Sequence, residues 1–215
     1  MRVCLDIQSA IGARAGVGRY TKLLAEHLAP LRGANNFSLF HFDFHQRGHS
    51  LTTGDTPVRS CRWMPGRFAQ KAWKTIGWPP YDWFSGSADV FHFPNFIRPP
   101  LKHGASVVTI HDLAFLRFPE TIEEKNLAYL KGQIEQTVRN STAIITVSEF
   151  TAREARELLN VPESKLHPIH SGLDPALAAP HPGCNQGAAK TSQARTPLPA
   201  LRRHAGAAKE LSVSN

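Results

Sequence analysis

Met1-Arg-Val-Cys-Leu-Asp-Ile-Gln8, Ser9-Ala-Ile-Gly-Ala-Arg-Ala-Gly-Val-Gly18 and Arg19-Tyr-Thr-Lys-Leu-Leu-Ala-Glu-His-Leu28 together decide the fold. Val3, Leu5 and Ile7 alternate as a short strand does. Gly12, Gly16 and Gly18 then interrupt any regular pattern. Beyond Gly18 the apolar residues Tyr20, Leu23, Leu24, Leu28 and Leu31 recur at helical spacing, and Pro30 and Gly33 bracket the helix end. The stretch reads as buried strand, glycine-rich turn and amphipathic helix. Such a turn lets a ligand approach the backbone, and the helix behind it points free N–H groups and a positive dipole end at an anion. Thr21 stands where a dinucleotide fingerprint has its third glycine, so a plain strand-to-helix turn is the alternative reading.

The same alternation continues along the chain. Residues 37–44, 58–63, 89–93, 106–111, 142–147 and 166–170 read as strands. Residues 67–78, 121–140 and 149–159 read as helices, the last capped by Ser148. Leu127, Leu130, Ile134 and Val138 form the apolar stripe of the long helix, which carries Glu123 and Glu124 in its first turn. Near-continuous apolar strands such as Ser106–Ile110 are those of a sheet covered on both faces. The pattern predicts an α/β fold with a Rossmann-like, doubly wound, mainly parallel sheet. His111-Asp112 ends its clearest buried strand, at the edge where such sheets bind ligands, and is a candidate acid/base or sugar-hydroxyl contact. Ser148 is a candidate ligand contact by the same logic, or simply a cap.

The remaining features bound the function. The 215 residues carry a net charge of +8, distributed as +7 over residues 1–104, −3 over 105–174 and +4 over 175–215. A basic half suggests an anionic partner, or no more than a solvated surface. Helix 67–78 places Phe68, Ala72, Trp73 and Ile76 on one face and Arg67, Lys71 and Lys74 on another, as an interfacial helix or a sheet-covering helix does. Cys4, Cys61 and Cys184 form no CxxC pair, so neither a zinc site nor a disulfide framework is indicated and a reducing, cytoplasmic setting is expected. Asp6 interrupts the first apolar run, so no signal peptide is read there. His41, His45 and His49 lie four apart; His41 and His45 would share a strand face, and ordinary surface histidines are favoured over metal ligands. Residues 175–215 hold ten Ala and five Pro without Phe, Tyr, Trp or Ile, and read as a disordered tail with one short helix near 200–210.

Four motifs occur in fixed order: Ala15-Gly-Val-Gly-Arg-Tyr20, Val108-Thr-Ile-His-Asp-Leu113, Ile145-Thr-Val-Ser-Glu-Phe150 and Ile169-His-Ser-Gly-Leu-Asp174. Together they resemble the N-terminal domain of family-four glycosyltransferases, retaining enzymes of the GT-B type, over residues 1–178. The resemblance implies a two-domain enzyme whose N-terminal half holds most of the acceptor site and whose C-terminal half holds most of the nucleotide-sugar site. It implies that Gly16, Val17, Gly18 and Arg19 line the cleft near the donor phosphates. His111 would stand at the reacting sugar as the catalytic residue, Asp112 would support its loop, and Ser148 would face the same cleft. The resemblance implies mannose or a related hexose from a nucleotide diphosphate, with GDP-mannose the first choice of donor, a glycan or lipid-linked acceptor, and no metal, because basic side chains and helix dipoles offset the leaving diphosphate. The donor half's basic pair and Glu-x7-Glu element find no match after Pro175, where Glu210 is the only carboxylate. Residues 179–215 are therefore expected to be a low-complexity tail after a truncation or frameshift near 180–185, and the chain alone to be inactive.

Two other readings compete. One is a stand-alone acceptor-binding or membrane-docking module working beside a separate donor-domain chain, with peripheral contact at the inner face of the membrane through helix 67–78. The other is a different Rossmann protein, such as a dehydrogenase, with Asp43 ending the second strand and contacting a ribose. Nucleic-acid binding rests on charge alone and is set aside.

Overall fold

The computed structural model describes residues 1–11, 16–28, 30–31 and 35–172, and Met1–Gly172 form one unit. The expectations for Gly12, Ala15, Gly33, Asp174, Cys184, the boundary at 178 and the tail with its helix near 200–210 fall outside the described residues.

Seven strands make one sheet: β1 (Arg2–Asp6), β2 (Asn36–Phe42), β3 (Val58–Cys61), β4 (Val90–Phe93), β5 (Ala105–Ile110), β6 (Ala143–Thr146) and β7 (Leu166–Pro168). Their order is β3-β2-β1-β4-β5-β6-β7, and every neighbouring pair is parallel. This is the doubly wound, Rossmann-like arrangement that the alternating pattern predicts. The helices are α1 (Gly16–Leu28), α2 (Gly66–Ile76), α3 (Asp82–Ser85), α4 (Ala114–Arg117), α5 (Glu124–Asn140) and α6 (Glu149–Leu159). The two four-residue helices α3 and α4 carry too few periodic positions to be read from sequence.

The apolar pattern misassigns the inner face of α1. Its buried residues are Gly18, Thr21 and Ala25, whereas Leu23, Leu24 and Leu28 are half-buried and Leu31 is exposed. Small side chains at the contact let the helix lie close to the sheet, and the leucines pack along its flanks. Helix α1 also begins three residues earlier than expected, so Gly16 and Gly18 belong to its first turn. On α5 the predicted stripe holds: Ile134 and Val138 are buried, with Leu127 and Leu130 packed against the same cluster.

Tyr81 organises the core on one side of β1. It is 1% exposed, and its ring meets Phe40, Phe91 and Phe93 edge-on at centroid distances of 5.1, 6.1 and 5.1 Å. Trp73 packs beside it, 6.0 Å away, and its Nε1–H donates to the Pro79 carbonyl at 2.6 Å. Burying each such ring contributes about 1.5–3 kcal/mol. The Cys4 and Cys61 thiols are free and buried, and burial pushes Cys4 up to about 11, so neither is poised as a nucleophile.

Gly104 makes the turn into β5 at φ +88°, where a Cβ would stand 2.8 Å from the Ala88 carbonyl oxygen and 2.8 Å from the Phe91 ring. Gly132 lies within α5 with nothing within 4 Å of its Cβ position. Gly104→Ala is therefore expected to lose about 2–3 kcal/mol in urea denaturation, and Gly132→Ala to gain up to about 1 kcal/mol. Equal effects of the two changes would contradict the backbone described here.

Candidate functional site

Strand β1 pairs with β2 on one side and β4 on the other, so the chain leaves the sheet centre in opposite directions from this point. A doubly wound sheet leaves an uncovered crevice at the carboxyl ends of those two strands. A cavity of about 160 Å³ occupies it. Asp6, Gln8, Ser9, Gln70 and Asn95 give it polar groups, and the rings of Phe42, Trp73 and Phe93 supply much of its apolar wall. Carboxylate and amide groups among aromatic faces suit a ligand with hydroxyls on an apolar ring.

Asp6, the last residue of β1, is fixed from two sides. Its Oδ1 accepts the Gln8 N–H at 2.8 Å and its Oδ2 accepts the Tyr81 hydroxyl at 2.9 Å. Gln8 in turn accepts the Phe42 N–H through Oε1 at 2.7 Å, which joins the ends of β1 and β2. Burial pushes the Asp6 carboxyl up to about 6, against the two hydrogen bonds that favour its ionised form. The same pair raises Tyr81 further, by burial first and by the Asp6 charge second.

His111 follows β5 at the same edge. Its Nε2 lies 2.8 Å from the carbonyl oxygen of Pro94, itself a wall of the cavity, and donates its proton there. That tautomer leaves Nδ1 with a lone pair able to accept a hydroxyl. The Tyr20 ring stands edge-on to the imidazole, 4.7 Å between centroids. Tyr20 lies one turn into α1, so the first turn of α1 and His111 meet at this edge. A Cβ on Gly16 would meet nothing within 4 Å, so the space beside that turn is open among the described residues. Val17 is half-buried, Gly18 buried and Arg19 exposed. Thr21, at the position of the missing glycine, is fully buried; its hydroxyl donates to the Val17 carbonyl at 2.9 Å and lies 2.7 Å from the Ser9 hydroxyl. The polar contact thus ties α1 to the loop after β1.

Asp112 and Ser148 have local tasks at this edge. Asp112 is exposed and accepts the Ala114 N–H at 3.1 Å, which holds the turn into α4. Ser148 caps α6, accepting the Thr151 N–H at 3.1 Å. The Thr151 hydroxyl bonds Ser148 at 3.0 Å and donates to the His111 carbonyl at 3.3 Å, so the cap is stitched to the backbone of His111.

Two expectations elsewhere need correction. His41 is buried and faces His49, not His45, at 5.9 Å between ring centroids, because Asp43 folds the intervening loop back. The Asp43 carboxylate accepts the N–H groups of Arg47 at 2.8 Å and Gly48 at 3.0 Å, which hold its pKa down against burial. It is engaged in that turn and does not stand open as a ribose contact. Among the described residues no three His, Cys, Asp or Glu side chains group as metal ligands.

Sequence reasoning missed Asp6, Gln70, Asn95 and Tyr81 as parts of the edge. A carboxylate ending the first strand of a doubly wound sheet was a usable signal for Asp6. The bond from Tyr81 spans 75 residues and has no local signature.

Comparison with known proteins identifies the family. A family model described as Glycosyltransferase Family 4 matches residues 14–177. The chain is 24% identical over 170 residues to the O-antigen chain mannosyltransferase B of Escherichia coli, covering 70% of this chain and 42% of the relative. Among solved structures it is similar to an alpha-glucosyltransferase in complex with UDP-glucose and DNA containing an abasic site, at 15% identity and a TM-score of 0.39, covering 81% of this chain and 43% of that one. The chain thus spans less than half the length of both. With the model matched over most of its length, on a parallel sheet whose carboxyl edge gathers His111, Tyr20 and the first turn of α1, the chain belongs to Glycosyltransferase Family 4.

Proposed function

We propose that this chain supplies the acceptor-binding half of a hexosyltransferase that moves mannose from a nucleotide diphosphate, GDP-mannose, to a glycan or lipid-linked acceptor. The observation that carries the reading is the cavity at the β1–β4 switch point, polar through Asp6, Gln70 and Asn95 and walled on one side by the Pro94 segment that His111 holds. In this reading the acceptor sugar lies in the cavity, with its hydroxyls on Asp6 and the amides and its apolar face on the aromatic wall. His111 accepts a sugar hydroxyl at Nδ1 and orients the reacting ring. The open first turn of α1, with Gly16, Val17, Gly18 and Arg19, receives the diphosphate through backbone N–H groups. Asp112 and Ser148 act behind His111 by fixing its loop and carbonyl. The nucleotide is held by a donor-binding half, in the same polypeptide or in a separate chain, and the diphosphate charge is met without a metal ion. The 24%-identical mannosyltransferase supports the choice of mannose.

Calorimetric titration of the chain with a mannose-containing oligosaccharide tests this. His111→Ala should weaken binding at least about tenfold, the loss of one or two hydrogen bonds to the sugar, while the chain stays folded and loses only about 1 kcal/mol of stability with the Pro94 bond. Binding that is unchanged in this variant, or absent in the wild type, would contradict the reading.

The protonation of Asp6 gives a second test. Its folded pKa of about 6 lies above the 3.8 of a free aspartate. Between these values the folded chain keeps a proton that the unfolded chain has released, so this group's contribution to stability falls as pH rises through the window, by about 3 kcal/mol. His92 works in the opposite sense: burial lowers it from 6.5 to about 4, so its contribution is full above 6.5 and is lost as pH falls. Asp6→Asn removes only the first slope. The wild-type stability minus that of the variant should decline from about pH 4 to about pH 6 and be level outside that range. A difference that rises with pH would contradict the buried carboxyl.

A further inference from the structure

All four tryptophans of the chain fall between residues 63 and 83, and only Trp73 is in the core. Trp63, Trp78 and Trp83 are 72%, 54% and 57% exposed, and Phe68 and Ile76 of α2 are 55% and 68% exposed. The buried side of α2 is Ala69 and Trp73, so the single apolar face expected from sequence is split: Trp73 goes inward while Phe68 and Ile76 remain in solvent. Trp78 and Trp83 meet edge to face, 5.4 Å between centroids, and Trp63 rests on Phe84 at 5.6 Å. These rings are therefore held in place on the surface.

Within residues 62–83 the charges have one sign apart from Asp82. Arg62, Arg67, Lys71 and Lys74 are exposed, and the segment's one carboxylate is Asp82. Asp82 is engaged by the Lys102 N–H at 2.9 Å, with His103 at 3.7 Å. That contact also locates the aromatic pair. Lys102 and His103 precede β5, whereas His111 follows it, so Trp83 and its partner lie at the opposite end of that strand from His111. Gln70 and Trp73 of α2 line the cavity, whereas Phe68, Lys71 and Ile76 of the same helix are exposed and do not line it.

Ordered tryptophans beside lysine and arginine, without free carboxylates, match the headgroup layer of a bilayer: indole rings settle at the polar–apolar boundary and long basic side chains reach anionic headgroups. We infer that residues 62–83 form a docking surface for an anionic lipid bilayer, with Trp78, Trp83, Phe68 and Ile76 entering the interface and Arg67, Lys71 and Lys74 meeting lipid phosphates. Helix α2 then lies in the plane of the interface. No helix among the described residues is long and apolar enough to cross a membrane, and the proposed contact is made by α2 and the segment after it in the plane of the interface. The inference does not depend on the transferase reading, and its test measures no transfer.

The test is sedimentation of the full chain with vesicles of equimolar phosphatidylcholine and phosphatidylglycerol, and with phosphatidylcholine alone. The chain should pellet with the anionic vesicles only, and its tryptophan emission should shift to the blue. Trp78→Ser combined with Trp83→Ser should lower the partition coefficient at least about tenfold, and Lys71→Glu combined with Lys74→Glu about as much at low salt. An unchanged coefficient in both variants would overturn the inference and assign binding to charge elsewhere on the chain. Brominated phosphatidylcholine in the same anionic vesicles provides a readout on the wild type alone. Quenching of its tryptophan emission supports the inference, and lack of quenching overturns it even where a variant fails to fold. Self-association in the ultracentrifuge that requires Trp78, without vesicle binding, would assign the surface to a second copy and likewise overturn it.

Discussion

The parallel pairing of β1 with both β2 and β4 is the constraint on which the rest of the structure depends. A parallel strand cannot be reached by a tight turn, so each connection must cross back over a face of the sheet. Because β1 is central, the crossovers on its two sides run apart and leave its carboxyl end uncovered. Asp6 stands at that end. A carboxylate there is tolerable only because Gln8 and Tyr81 donate to it, and Tyr81 reaches it by threading a buried ring through Phe40, Phe91 and Phe93. Core packing and the polar edge are thus one system: the ring that fills the space under β1 also fixes the carboxylate above it.

A similar economy holds around His111. The strand that places it has a partner on each side, β4 along residues 105–108 and β6 along residues 107–110. The Pro94 carbonyl accepts its Nε2–H, Tyr20 packs against its ring, and Thr151 donates to its carbonyl. Three elements therefore hold one imidazole, leaving Nδ1 as its acceptor. Preorganisation of this kind is what an orienting residue needs, because a misplaced hydroxyl contact loses much of its effect.

Much of this was legible in the sequence, and the exceptions share a physical origin. Apolar alternation located all seven strands because a sheet covered on both faces needs near-continuous apolar runs. The polar termini of the strands then located His111. The inner face of α1 was misread because periodicity weighs hydrophobic bulk, whereas Gly18, Thr21 and Ala25 were placed at the contact by close approach. Trp73 and Ile76 were read as one face, although only the first has a core to enter. His41 was given the wrong neighbour because Asp43 folds its loop through two backbone N–H bonds that no spacing rule anticipates. Tyr81, tied to Asp6 across 75 residues, belongs to the same class: a tertiary contact without a local pattern.

The central claim is that the crevice between β1 and β4 receives a sugar. The most direct measurement is an amide and indole NMR spectrum of the isotope-labelled chain, recorded with and without methyl α-mannoside. Signals of Asp6, Gln8, Gln70 and Asn95 and the Trp73 indole should move together with increasing sugar, while those of Trp78 and Trp83 stay fixed. Shifts scattered over the surface, or confined to residues remote from this crevice, would contradict the account.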